Sequence, residues 1–319
     1  MRYLHSGVKA GVKPAEESKV RLRRMKKYGL PQYILWLILF ISALFCFLPV
    51  LLILIVSFSS EASVSAKGFS FFPMAWTLDS YKYVFTFKDQ LINSYLITIF
   101  ETVCGSALTV LFTAMFAFVL SRKEFKLNRF FTIYLLITML FNGGMLSSYL
   151  VNTNIYHLRN NLLILILPGC VTAWNCIIMR TFIQSNVPEA LIDAAKIDGA
   201  GEMYTFFKIV TPIMVPVLAA IGFMAAMTHW NEWQTAFLYI DKTGLATLQL
   251  MLMRIEKNLS YMQERANSLS PEELLAMKNA PTETARMAIL FFTMGPVMVA
   301  YPFFQKYFIK GITIGAVKG

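Results

Sequence analysis

Charge is what this 319-residue chain has little of. Asp, Glu, Lys and Arg together make up 15% of it, where a soluble domain carries roughly 25%. Histidine is scarcer still at three residues, one of them, His5, in a basic tail, which leaves little for acid–base chemistry. The four cysteines, Cys46, Cys104, Cys170 and Cys176, all sit in apolar segments, and no two have C-x-x-C spacing. Neither a zinc site nor a disulfide framework is thereby indicated, and the thiols read as small core or lipid-facing residues. The chain has no G-x-x-x-x-G-K-S/T segment, hence no recognisable ATP-binding loop of its own. It also lacks a G-x-S-x-G elbow and an H-E-x-x-H pair. No catalytic residue and no metal ligand is assigned.

What the chain has in excess is apolar surface: 57% hydrophobic residues and a mean hydropathy of +0.57. The apolar residues come in uncharged blocks of about 20 or more, the signature of membrane-spanning helices rather than of a large soluble core. The net charge is +11, but nine of the 29 basic residues fall in the first 27 positions, directly before an apolar run. That placement reads as a positive-inside topology signal, not as a nucleic-acid patch. The first apolar run is too long for a signal-peptide core and no small-x-small cleavage site follows it, so it reads as a retained anchor.

The expected fold is therefore an all-α membrane protein: a basic tail over 1–30 and a transmembrane domain over 31–319, with six spans near 32–57, 93–120, 130–151, 161–184, 213–233 and 286–308. The tail, the 2–3 loop with Arg122, Lys123, Lys126 and Arg129, and the 4–5 loop over 185–212 with Lys196 and Lys208 are basic. The 3–4 loop has only Arg159. Both termini and the 185–212 loop should then face the cytoplasm, and the long polar segment 234–285 should lie outside. Within that segment Ser270-Pro271-Glu272-Glu273 reads as a helix start.

The 185–212 loop is a polar, small-residue island. Asn186-Val187-Pro188-Glu189 reads as a helix start, with Asn186 as cap and Glu189 in capping-box position. The helix should end at Gly199 in a left-handed turn. A second short helix, about 202–210, should stop at Thr211, because Pro212 disfavours helix in the residue before it. Ala194, Ala195, Gly199 and Ala200 would let a partner approach the backbone closely, Asp193, Asp198 and Glu202 would fix its orientation, and the apolar run Phe206–Val210 would tie the element to the bundle. The alternative is a surface loop that merely connects two spans.

The same residues carry a resemblance. Asp193-Ala194-Ala195, three residues, Gly199, then Ile209 and Thr211-Pro212 resemble the coupling motif of ABC importer membrane subunits, with Asp193 where that family has Glu and Thr211 where it has Leu. Pro216, Trp230-Asn231-Glu232-Trp233, Asn142-Gly143-Gly144 and the ending from Gln305 to Gly319 resemble carbohydrate-importer permeases of the maltose-permease type, closest to the subgroup handling complex, aldouronate-like oligosaccharides. The resemblance implies a type I importer fold with a cytoplasmic coupling helix between spans 4 and 5, in the bacterial cytoplasmic membrane. It implies a non-catalytic subunit working with a second homologous permease, two cytoplasmic ATPases that carry the ATP and Mg, an extracytoplasmic solute-binding protein and an oligosaccharide cargo. The coupling residues it implies are Glu189, Asp193, Ala194, Ala195, Asp198, Gly199, Ala200 and Pro212.

Candidates for the substrate path are few. Glu101 lies mid-span, where an ionisable group is expensive, and it either serves the path or bonds a neighbouring helix. Asn142 reads as a helix contact or kink as well as a path residue. Trp174 with Asn175, and Trp230-Asn231-Glu232-Trp233, read either as membrane-edge anchors or as a sugar gate. His229 reads as structural and the 18 methionines as adaptable packing. The competing functions are a permease for a non-carbohydrate solute, an ion-coupled secondary transporter, for which the membrane charges are sparse, and an intramembrane enzyme.

Overall fold

A computed structural model describes residues 30–265 and 282–316. The basic tail, the Ser270 helix start and the last three residues lie outside these. The described residues are helical, with a single isolated bridge between Ser59 and Trp76. Helix α1 (Leu30–Ser57) is apolar all round, as a lipid-spanning helix is. It begins in one compact unit that ends at Leu52; a second unit begins at Ile53.

In the second unit, α2 (Glu61–Lys67) and α3 (Asp79–Thr86) are short and polar, and α4 (Lys88–Ser121) runs unbroken for 34 residues. Next come α5 (Asn128–Leu140), α6 (Gly144–Leu150, widened into a π-turn over Val151–Ile155), α7 (Leu163–Ile166), α8 (Ala173–Asn186) and α9 (Glu189–Ile197). Helix α10 covers Glu202–Trp230. It is followed by α11 (Gln234–Tyr239), α12 (Leu248–Arg265) and α13 (Glu283–Ala316). The helix α4 is the axis of the bundle, packed along α10 and α8, while α13 packs against α10.

Among the described residues, four helices, within α1, α4, α10 and α13, are long and apolar enough to cross a membrane, or up to six spans are formed if each of two bent pairs counts as one. The stretch expected as one span near 130–151 is bent by 114° between α5 and α6. The Asn142 Oδ1 accepts the Gly144 N–H at 2.9 Å and Gly144 has φ +83°, a left-handed turn that Gly adopts freely. The stretch near 161–184 bends by 49°, because Pro168-Gly169 closes a 3₁₀ turn and Thr172 then caps α8 through the Asn175 N–H at 3.4 Å. The helix expected to stop at Thr211 does not stop. Residues Thr205–Val210 form a π-turn, and Thr211 gives both its N–H and its hydroxyl (2.8 Å) to the Phe206 carbonyl. Widening the turn accommodates the missing N–H of Pro212 inside a continuous helix.

The start of α13 is fastened by Glu61. Its carboxylate accepts from Thr282 Oγ1 (2.6 Å), the Glu283 N–H (3.0 Å), the Thr284 N–H (3.1 Å) and Thr284 Oγ1 (2.7 Å). The two N–H groups are free donors of a helix N-terminus, and the two threonine hydroxyls add to them. Burial pushes the Glu61 pKa up, but the four hydrogen bonds outweigh it and hold the group below its ordinary value. A depressed folded pKa means stability that is present above the unfolded value and lost as pH falls through the folded one. Glu61→Gln is expected to cost about 1–2 kcal/mol at neutral pH, since the site is only half-buried. The gap to wild type should close when thermal unfolding of the purified chain is followed down to acidic pH; a constant gap would contradict the assignment.

Candidate functional site

Helix α9 is built from strong helix formers, with Glu189 in its first turn and Lys196 in its last, the charge order a helix dipole favours. Its end is a complete Schellman motif: Gly199 sits at φ +80°, its N–H meets the Lys196 carbonyl at 3.0 Å, and the Ala200 N–H meets the Ala195 carbonyl at 2.9 Å. Its start differs from expectation. Asn186 is the last residue of α8 and donates to the Phe182 carbonyl at 2.9 Å, so it finishes one helix rather than capping the next. Pro188, with its extended backbone, stands at the N-cap.

One side of α9 is locked into the bundle. Ile192 joins the cluster formed by Ala117, Phe118, Met179, Ile183, Phe206 and Val210, and Ala195 is buried as well. Ala195, expected on the docking surface, therefore serves packing, because it falls on the Ile192 side of the turn. The other side is open: Ala190, Asp193, Ala194, Asp198 and Gly199 are exposed, Ala200 is half-buried, and two apolar side chains stand free, Leu191 and Ile197, the latter 86% exposed. An isolated apolar knob with that exposure, held on a helix fixed from behind, is suited to entering a partner's pocket. Sequence reasoning missed both. Pro212 lies inside α10 and not in α9.

Charges surround α9. Lys123 Nζ lies 2.7 Å from Glu189 Oε2, which raises the lysine's pKa. Lys196 bonds Glu124, holding that carboxyl below its ordinary value. Arg122 lies 3.5 Å from Glu124 and 3.7 Å from Glu202.

The substrate-path candidates separate into two sets. Glu101 is 1% exposed, with Oε1 3.8 Å from His229 Nδ1, and neither carboxylate oxygen has a hydrogen-bond partner in the protein. His229, Asn175 and Glu232 line a small cavity of about 110 Å³ together with Thr109, Thr172, Thr228 and Thr235 and with the apolar Ile164, Leu165 and Ala225. Glu232 Oε1 also accepts the Thr235 N–H at 2.7 Å. The remaining candidates are elsewhere. The Trp230 indole is buried and donates to the Thr293 carbonyl at 3.1 Å, a tie between α10 and α13. Asn231 Nδ2 donates to the Met227 carbonyl at 2.9 Å. Trp233 packs near Phe237, Trp174 is exposed, and Asn142 forms its turn. The threonines were not singled out in the sequence and His229 was read as structural, although Ser94, Thr98, Glu101, Gly105, Thr109 and Thr113 recur every three or four positions along α4 and are all buried.

The fold is that of a helical membrane protein whose α9 is held in the bundle on one side and exposed on the other. Residues 105–314 match the family of binding-protein-dependent transport system inner membrane components, and the chain belongs to that family. It is thus a permease subunit of a binding-protein-dependent ABC importer, a non-catalytic component of the inner membrane. The polygalacturonan/rhamnogalacturonan transport system permease protein YtcP of Bacillus subtilis (strain 168) is 35% identical over 301 residues, 94% of this chain and 100% of the relative. Protein LplC of the same organism is 34% identical over 274 residues, 85% of this chain and 89% of that protein. Among solved structures, a bacterial ABC transporter involved in the import of the acidic polysaccharide alginate matches with a TM-score of 0.74 at 28% identity, over 88% of this chain and 99% of that one.

Proposed function

We propose that this chain carries an oligosaccharide, of the acidic, uronate-containing kind, across the cytoplasmic membrane by alternating access, with α9 as the coupling helix that receives the stroke of an ATPase. The observation that carries this is the two-sided construction of α9: Ile192 and Ala195 fixed in the bundle, Leu191, Ile197 and Gly199 presented outward. A motor pushing on the free side moves α8 and α10 through the fixed side. Counting each bent pair as one span gives six, an even number that leaves both termini on one side; the basic loops favour the cytoplasm for that side and for α9, with 234–285 outside as the docking side for a solute-binding protein. The complete transporter adds a second homologous permease and two ATPases; ATP and Mg belong to the latter, and this chain needs no cofactor. The cargo class follows the relatives, whose names cite polygalacturonan, rhamnogalacturonan and alginate.

The test is uptake of a labelled oligogalacturonide by vesicles holding the whole transporter. The Gly199→Asp variant is expected to lose at least about tenfold in ATP-dependent uptake while the chain inserts at normal abundance. Asp tolerates a left-handed backbone better than most residues, so the loss reports obstruction of docking rather than misfolding. Undiminished uptake with the ATPases still bound, or uptake from an ion gradient without ATP, would overturn the reading.

A further inference from the structure

Helix α9 is gripped at both ends by one three-residue segment, Arg122-Lys123-Glu124, in the connection between α4 and α5. Glu189 and Lys196 are seven residues apart, two helical turns, so they share a face with the buried Ile192 between them. Lys123 meets Glu189 at 2.7 Å at the start of the helix and Glu124 meets Lys196 at its end. Arg122 and Lys196 both reach Glu202, at 3.7 and 3.9 Å, the first residue of α10.

The segment is itself anchored. Asn128 Nδ2 donates to the Leu120 carbonyl at 2.7 Å and to the Arg122 carbonyl at 3.3 Å, and Arg180 Nε donates to Leu120 at 2.9 Å. The Arg122 guanidinium lies over the Phe118 ring, 5.7 Å from its centroid, with only 12% of the side chain exposed.

We propose that residues 122–124 brace the coupling helix, making Lys123, Glu124 and Lys196 positioning residues that fix its rotation and tilt so that a push on Ile197 is delivered to the bundle. The inference rests on α9 being the coupling helix. Exposed ion pairs contribute little to stability one by one, and Lys123 is 80% exposed. Their value here is directional. A plus–minus pair on the loop meets a minus–plus pair on the helix, and turning α9 by one residue, about 100°, breaks both contacts at once. The brace leaves the ATPase's own docking surface, the Leu191 and Ile197 side, untouched.

A charge swap in the complete transporter tests this, reading uptake per ATP hydrolysed. Lys123→Glu and Glu189→Lys are each expected to lower that ratio about fivefold, and the double variant to return it to within about twofold of wild type. Membrane abundance should stay normal in all three, and ATPase co-purification should be normal in Lys123→Glu and in the double variant, which a Glu189 that only docked the ATPase would not allow. A double variant no better than the worse single, or singles that couple like wild type, would refute the brace. If Gly199→Asp abolishes uptake while the charge variants leave the ratio unmoved, the brace is wrong and the coupling helix stands. If Gly199→Asp leaves uptake intact, both fall together.

Discussion

Replacing Ile197 by Asp is expected to abolish ATP-driven uptake while leaving the chain folded in the membrane. The side chain is 86% exposed, so its removal opens no cavity. A surface change of this kind costs the fold about 0.5 kcal/mol or less, and the helix-propensity difference between the two residues is a few tenths. Its effect on a partner is of another order. Truncating an apolar anchor that fills a pocket costs about 2 kcal/mol or more of association, roughly 30-fold, and a carboxylate forced into the same pocket adds a desolvation penalty. The variant should therefore fail to retain the ATPases on purification, with unchanged melting of the permease itself. Leu191→Asp, at a residue 40% exposed about 120° further round the open part of α9, should show a weaker version. Normal ATPase retention in Ile197→Asp would remove the knob from the interface.

Gly199 was legible because its role is backbone geometry: a helix ending in a left-handed turn needs glycine, and the run before it is helical by composition. The orientation of α9 was not legible. In nine residues, Leu191, Ile192 and Ile197 point in three directions around the helix, and periodicity cannot say which one a bundle will take. The structure buries Ile192 because Phe206 and Val210 arrive beside it from α10, a contact set by tertiary packing. Asn186 had the chemistry of an N-cap, but its amide serves equally well at the end of α8. Which helix it caps depends on the turn that Pro188 makes.

Breaks within the spans were half legible. Asn142-Gly143-Gly144 was read as a contact or kink, and it is a turn of 114°. Glycine permits such a bend, but the amount is fixed by what α5 and α6 pack against. Pro212 failed in the opposite direction: the proline rule predicts a stop, and a π-turn removes the conflict. The polar stripe on α4 was present in the sequence and overlooked, because each threonine alone is unremarkable in a span. Only the repeat from Ser94 to Thr113 marks one face as protein-facing.

That stripe leads to the second large effect. Gly105 lies where α4 meets α10, and a Cβ there would come within 2.5 Å of His229 Nε2, 2.6 Å of Cε1 and 2.8 Å of Cδ2. The imidazole is 6% exposed and its other side lies 3.8 Å from Glu101, so it can yield only toward the small cavity it lines. Gly105→Val is expected to cost about 3 kcal/mol, at the upper end of overpacking penalties, seen as a melting temperature lowered by roughly 4–5 °C for a chain of this length. The decisive comparison uses alanine. In a helix interior Gly→Ala gains about 1 kcal/mol from propensity, against about 1–3 kcal/mol for the clash, so Gly105→Ala should destabilise the wild-type background. With His229→Ala beneath it, the clash is gone and the propensity gain remains, so the same substitution should become stabilising. The reversal of sign, measured as thermal unfolding of the wild type and three purified variants, isolates the imidazole as the cause. Should Gly105→Ala shift melting equally in both backgrounds, the two side chains are not in contact and the packing of α4 on α10 is different from that described.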